Sequence, residues 1–381
     1  MNHPRTLRIA LIWMSALLCM TPTPVNAQLS PCDQRPTALD FPWVDTLVYC
    51  VERVLSDDSA GELGFTALAA APNGTLYATR PITGEVFAIE DTDGDAVPDT
   101  ARLIANELTL PNALAYQDGA LYIAGGAYVH RWDAETEALT VLIDDLPTGT
   151  GFWTGGIAIS PDEYLYVGIG AACDACPPDA DGRGRIYRFT LDGTTRVAVA
   201  SGVRQPNGVL WHDGALWFTD TARDALEGGG YDELNRFTPP GQDFGFPGCI
   251  GHDNQPDDMF PAADCGQVSV PAVSFSTDST PTALAVYSGD TFPALDGSLL
   301  VVLSGSYNAS RLRGYSVVSI ALDSIGARLP TQPLIPVLND PTEQFIGRGL
   351  YPHRPYGVAV SPEGWIYLSI GGGQIWVLRP A

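Results

Sequence analysis

The sequence predicts an all-β protein, a six-bladed β-propeller, on three observations. One short pattern returns six times: a small apolar strand, a turn ending in Gly or an acid, and a second strand rich in Leu, Tyr and Trp. Each copy is trailed by a further segment that alternates at period two, as a strand with one face toward a core does. No long stretch carries a 3.6-residue apolar period, so helices are not expected in the core.

The copies run in order through the chain. They read TALAAAPNGTLYATR at 66–80, NALAYQDGALYIAGG at 112–126 and GGIAISPDEYLYVGIG at 155–170. NGVLWHDGALWFTDT follows at 207–221, then a looser TALAVYSGDTFPALDGSLLVVLSG at 282–305 and YGVAVSPEGWIYLSIGG at 356–372. Asn-Gly, Asp-Gly and Pro-Asp-Glu turns inside them mark hairpins. Small antiparallel sheets repeated around an axis bury their faces against one another, which is propeller geometry. A β-sandwich or two separate β domains is the alternative, but no Pro/Gly/Ser linker divides the repeats. Residues 64–381 therefore read as one domain, preceded by a lead-in segment at 28–63. Insertions in 171–186, 222–274 and 338–355 mark the working face, because loops of a propeller gather at the mouth of its channel.

The N-terminus reads as an export signal. Arg5 and Arg8 precede an apolar run from Ile9 to Met20, and small residues precede a cut after Ala27. The run is too short for a membrane span. Leu17-Leu18-Cys19 raises a lipoprotein signal, against which Leu18 is a poor residue before the modified cysteine. The expected location is periplasmic or extracellular. Six cysteines follow residue 27, an even number that favours disulfides in an exported chain. Sequence neighbours suggest Cys32–Cys50, Cys173–Cys176 and Cys249–Cys265, although other pairings are possible. Cys173-Asp-Ala-Cys176 has the form of a redox or zinc motif, but it has no second pair, no nearby histidine and no βαβ context.

Formal charge is −24, and all 20 basic residues are arginine. Such a surface repels nucleic acid and anionic lipid. An anionic ligand would need a local arginine cluster or a metal ion. DTDGDAVPDT at 91–100 sets Asp91, Asp93, Asp95 and Asp99 close together, as in a calcium loop. Gly94 comes early and Arg102 stands twelfth, so an EF-hand is excluded; a calcium-stabilised turn or a solvated acidic turn remains.

Several segments carry a resemblance. VGIGAACDAC, TDTARDALEGGGYDELN, DFGFPGCIG, SGSYNASRLRGYSVV and RPYGVAVSPEG occur in the order found in soluble pyrroloquinoline quinone (PQQ) sugar dehydrogenases. The chain resembles the sorbosone-dehydrogenase-like branch from about Gly64 to its end. The resemblance implies a six-bladed propeller holding PQQ and Ca²⁺ at the channel mouth, with a sugar substrate oxidised by hydride transfer to the quinone while a histidine takes the hydroxyl proton. The electron acceptor is left open. Carried over residue by residue, Arg204 and Gln205 match a cofactor-binding pair, and Arg354 matches an arginine of the last blade. Ala222 and Arg223 match the positions whose backbone carbonyls bind calcium. The glucose branch's cofactor-binding lysine has no counterpart, and Arg311 or Arg313 would take its place. The family's histidine falls on Phe152, which cannot accept a proton, and the arginine that follows it falls on Gly155 or Gly156. Phe152 and Trp153 would stack on a cofactor or a sugar, or pack between blades. His353, beside Arg354, is the nearest substitute for the base. Two other readings stand beside this one: a non-catalytic propeller that binds carbohydrate or protein, and a lactonase-like hydrolase with carboxylates around calcium.

Overall fold

The computed structural model describes residues 30–40, 47–93, 97–177, 182–224, 226, 231–239, 241–251, 253–307, 312–322, 331–335 and 350–381. The expected signal at 1–27 lies outside the described residues. Each of the six repeats forms the two innermost strands of one antiparallel sheet, and its trailing segment forms the third. The inner strands are Leu68–Ala70, Pro111–Gln117, Thr154–Ile159, Val209–His212, Pro281–Tyr287 and Pro355–Val360. Each contacts the next, and the sixth returns to the first. The result is a six-bladed propeller.

The core lies between blades. Tyr77, Val86 and Ala88 of the first pack with Leu121, Ile123 and Trp132 of the second. Second strands such as Ala215–Asp220 are buried at every position because each has a neighbouring sheet on both faces. The hairpin turn at Asp213-Gly214 has positive φ at both residues, 46° and 71°, the conformation that selects Asp-Gly between paired strands.

Four inner strands open with a break in register, at Pro111/Ala113, Thr154/Ile157, Pro281/Ala283 and Pro355/Gly357. The bulge swings the extra residue off the ladder toward the axis. It also brings adjacent blades very close. A Cβ on Gly155 would stand 2.1 Å from the Pro206 carbonyl oxygen, and one on Gly156 would stand 2.5 Å from the Val209 nitrogen. That approach leaves no room for the arginine which the resemblance would put at either position.

The ring is closed by the lead-in segment. Tyr49–Ser56 runs antiparallel to Gln374–Pro380 as the outer strand of the last sheet. Glu52 on that strand is 1% exposed. It accepts from Arg379 Nε and Nη2 at 2.8 and 2.7 Å, from Arg35 Nη1 at 3.0 Å and from Thr37 Oγ1 at 3.0 Å. Burial alone would raise this carboxyl, but the two guanidiniums outweigh it and hold it low. Cys32–Cys50 ties the same segment.

Replacing Glu52 by Gln would strand two buried guanidiniums. We expect a loss of about 3–5 kcal/mol in the urea-unfolding free energy. An unchanged midpoint would show that the triad does not hold the ring.

Candidate active site at the channel mouth

A cavity of about 420 Å³ lies on the propeller axis, large enough for a small organic ligand. Every blade contributes to it, through Leu68, Ala113, Ile157, Val209, Leu284 and Val358 of the inner strands. The bulges supply Asn112, Gly156, Thr282 and Tyr356. Loops add Phe152, Trp153, Arg204, Gln205, Thr221, Ala222, Asp224, Asp278 and Tyr307. Five of the residues singled out from the sequence thus meet in one hollow: Phe152, Trp153, Arg204, Gln205 and Ala222.

Arg204 is buried and its charge is already met. Its Nη2 reaches Asp174 Oδ1 at 2.5 Å and Asp224 Oδ1 at 3.3 Å, and its Nε and Nη1 donate to the carbonyls of Asp174 and Thr221. The guanidinium stands 4.1 Å over the Phe152 ring. Asp174 and Asp224 come from two of the insertions expected at the working face. Phe152 is held by its N–H to the Ala171 carbonyl at 3.0 Å, and buried Arg183 donates to Ala171 O at 2.8 Å. Trp153, 36% exposed, presents a ring to the cavity.

Other expected residues lie elsewhere. Arg354 is not a lining group: it spends its Nη atoms on the carbonyls of Ser304, Gly305 and Ser306 and on the Tyr315 hydroxyl. Its guanidinium stacks 3.9 Å from the ring of Tyr307, which does line the cavity, so it supports the wall from behind. His353 does not reach the cavity either. Its ring packs edge-on against Trp376, and burial and Arg53 push its pKa down. Both neighbours belong to the outermost strands of the last blade, far from the axis. Arg313 is not a lining residue, and Arg311 lies outside the described residues. The Arg223 side chain turns away to Asp257, at 2.7 Å, and to Asp258. Asp91, Asp93 and Asp99 bring carboxylate oxygens within 4.8 Å of one another on an exposed turn, while Asp95 lies outside the described residues. All three suggested disulfides are present.

Beneath the lip sits a layer of buried acids. Asp220 accepts the amides of Arg204 and Gln205 at 2.9 and 2.6 Å and so shapes their loop. Asp232 accepts from Ala222 N at 3.0 Å and from Thr280 N at 2.8 Å, joining two sides of the mouth. Asp220 and Glu233 face each other across paired strands. Burial raises Asp220 to about 6, Asp232 to about 7 and Glu233 to about 8; the amide bonds oppose this at the two aspartates, and the Asp220 charge adds to it at Glu233.

A family model described as Glucose / Sorbosone dehydrogenase matches residues 119–320. The chain belongs to that family. Solved structures share the fold at low identity. The holo form of the pyranose dehydrogenase PQQ domain from Coprinopsis cinerea is 16% identical, covers 87% of this chain and 95% of that one, and has a TM-score of 0.67. The calcium structure of a Trichoderma reesei Carbohydrate-Active Enzymes Family AA12 protein is 16% identical over 91% and 98%, with a TM-score of 0.70. The PQQ-bound form of aldose sugar dehydrogenase from Streptomyces coelicolor is 20% identical over 88% and 99%, with a TM-score of 0.58. No curated protein matches the sequence.

Within this family member, the residues that sequence reasoning missed are Asp174, Arg183, Asp220, Asp232 and Asp278. One signal was available for Asp220. It shares strand parity with Leu216 and Phe218, and an acid on an apolar face must be satisfied locally.

The raised carboxyls set a pH dependence. The folded chain keeps protons that the unfolded chain, titrating near 3.8 for Asp and 4.5 for Glu, releases. Their stabilisation is complete below about pH 4 and is lost as pH rises through 6 to 8. Thermal midpoints should therefore fall from pH 5 to pH 8, and Asp220→Asn with Glu233→Gln should flatten that slope. An equal slope in wild type and double variant would refute the assignment.

Proposed function

We propose that the protein is an exported PQQ-dependent oxidoreductase that oxidises an aldose or sorbosone-like sugar, or another polyol. The observation that carries this is the axial cavity with Phe152, Trp153, Arg204 and Gln205 at its mouth, in a chain of the glucose/sorbosone dehydrogenase family. The residues fit a flat polar cofactor. Trp153 offers an aromatic face, Gln205 a neutral hydrogen-bonding group, and Thr221 Oγ1 is buried at the cavity with no hydrogen-bond partner among the described residues.

PQQ supplies a two-electron hydride acceptor, and Ca²⁺ polarises its carbonyl. The backbone carbonyls of Ala222 and Arg223 would hold that ion, and Asp232 sets the strip that carries them through Ala222 N. Arg204, fixed by Asp174 and Asp224 over the Phe152 ring, would shape the edge of the quinone site without supplying free charge to it. The apolar inner strands below exclude bulk water from the reacting carbon. The exposed turn of Asp91, Asp93 and Asp99 would take a second, structural calcium ion, whose carboxylates are poised by Thr92 and Thr100 donating to Asp99. On motif order we read the chain as nearest the sorbosone-like branch.

One observation favours a second reading. Phe152, onto which the resemblance carries the family's histidine, is a hydrocarbon ring held under Arg204. On that reading the propeller binds PQQ or a carbohydrate without turning it over.

The mature protein should bind PQQ stoichiometrically with Ca²⁺, seen as a shifted quinone spectrum, and should then reduce a dye in the presence of aldoses. Trp153→Ala should weaken quinone binding about tenfold. Binding without turnover selects the second reading. No quinone binding at micromolar concentration rejects the cofactor assignment.

A further inference from the structure

We propose that Asp278 is the general base of this protein, taking the sugar hydroxyl proton that Phe152 cannot take. The inference rests on the quinone reading above and adds to it a residue outside every motif that suggested the family.

Elimination leads to it first. Among the described residues, the titratable groups lining the cavity are Arg204, Asp224, Asp278, Tyr307 and Tyr356. Arg204 is a permanent cation. Asp224 is bound to Arg204. The Tyr356 hydroxyl donates to Glu62 Oε1 at 3.1 Å, and burial and Tyr307 push its pKa upward. The Tyr307 hydroxyl is 3.5 Å from that of Tyr356. Asp278 is the remaining carboxyl, and no hydrogen bond from a described residue engages it.

The backbone supports the same choice. Asp278 has φ of 67° and Thr280 has φ of 51°. A β-branched residue in that region is a conformational outlier, and such strain persists only where surrounding bonds impose it. Here they do. Thr280 N donates to Asp232 Oδ2 at 2.8 Å, Ser304 N donates to Thr280 O at 2.9 Å, and Gly305 N donates to Ser279 O at 2.8 Å. Three bonds from two neighbouring segments thus hold a turn that presents one carboxylate to the hollow. The environment suits a base: burial and the Asp224 charge raise Asp278 above an ordinary aspartate, with Arg313 opposing.

The step balances simply. As the C–H bond of the substrate carbon breaks, its electron pair leaves with the hydrogen as hydride to the quinone. The hydroxyl O–H bond breaks toward Asp278, which gains the proton, and the carbon becomes a carbonyl. An aldose in its ring form gives a lactone.

Asp278→Asn tests this without disturbing the turn, since asparagine tolerates positive φ and has the same shape. The variant should keep the quinone spectrum and KM within threefold while kcat falls about 10²–10⁴-fold. Adding Phe152→His to it should restore at least tenfold of the loss. A readout independent of turnover uses an imino sugar with a basic nitrogen at the anomeric position. By calorimetry it should bind wild type at least tenfold more tightly than the neutral anhydro sugar, and Asp278→Asn should abolish that preference. Wild-type kcat in the variant, or an unchanged imino-sugar preference, overturns the role of Asp278 alone. Loss of the quinone spectrum in the variant overturns it too, by making Asp278 a binding residue. Failure of wild type to bind the quinone overturns the underlying reading and this inference together.

Discussion

The structure depends on the burial of Glu52 between Arg35 and Arg379. A propeller has no continuous core along its axis; each blade is stabilised by its two neighbours, so the ring must be shut for any interface to be complete. Here the shutting strand comes from a segment that carries no repeat. Its carboxylate enters the last blade with every lone pair met, by five-donor guanidiniums whose fork geometry suits a carboxylate. The inner strand of that same blade supplies Tyr356 and Val358 to the wall of the axial cavity.

The same economy governs the mouth. In a chain with 44 acids and 20 arginines, the arginines near the site are structural before they are anything else. Arg183 and Arg354 are absorbed by carbonyls, and Arg204 by two aspartates and two carbonyls. The acids do reciprocal duty: Asp220 and Asp232 accept main-chain amides that no sheet satisfies. Loops at the end of a propeller have exactly this unmet need, because their backbone leaves the ladder while still buried. Among the described residues, the groups left uncommitted at the cavity are therefore informative; they include the ring of Trp153, the side chain of Gln205, the Thr221 hydroxyl and the carboxyl of Asp278.

Bulges connect these two layers. A regular strand entering at the axis would point alternate residues between blades. The extra residue in four of the six inner strands turns Asn112, Gly156, Thr282 or Tyr356 into the cavity, and Asn112 and Thr282 also bond the next blade through the carbonyls of Thr154 and Tyr356. Site and ring closure thus share the same few ångströms of backbone.

By itself the sequence determined the number of blades, the two inner strands and third strand of each, and the family; it suggested the disulfide partners, which the structure decided. Period-two alternation and Asp-Gly turns are local signals, and they survive without knowledge of what packs against them. It also brought Phe152, Trp153, Arg204, Gln205 and Ala222 to notice through motif order. Only the tertiary structure decided which cations face the cavity, since Arg354 and Arg204 look alike in a motif and differ in the acceptors that neighbouring loops supply. It alone moved His353 to the rim of a blade and brought Asp278 to the axis, because the direction of a loop side chain is set by hydrogen bonds from segments distant in the chain. And it alone showed the outer strand at 49–56, whose pairing partner lies more than 300 residues away.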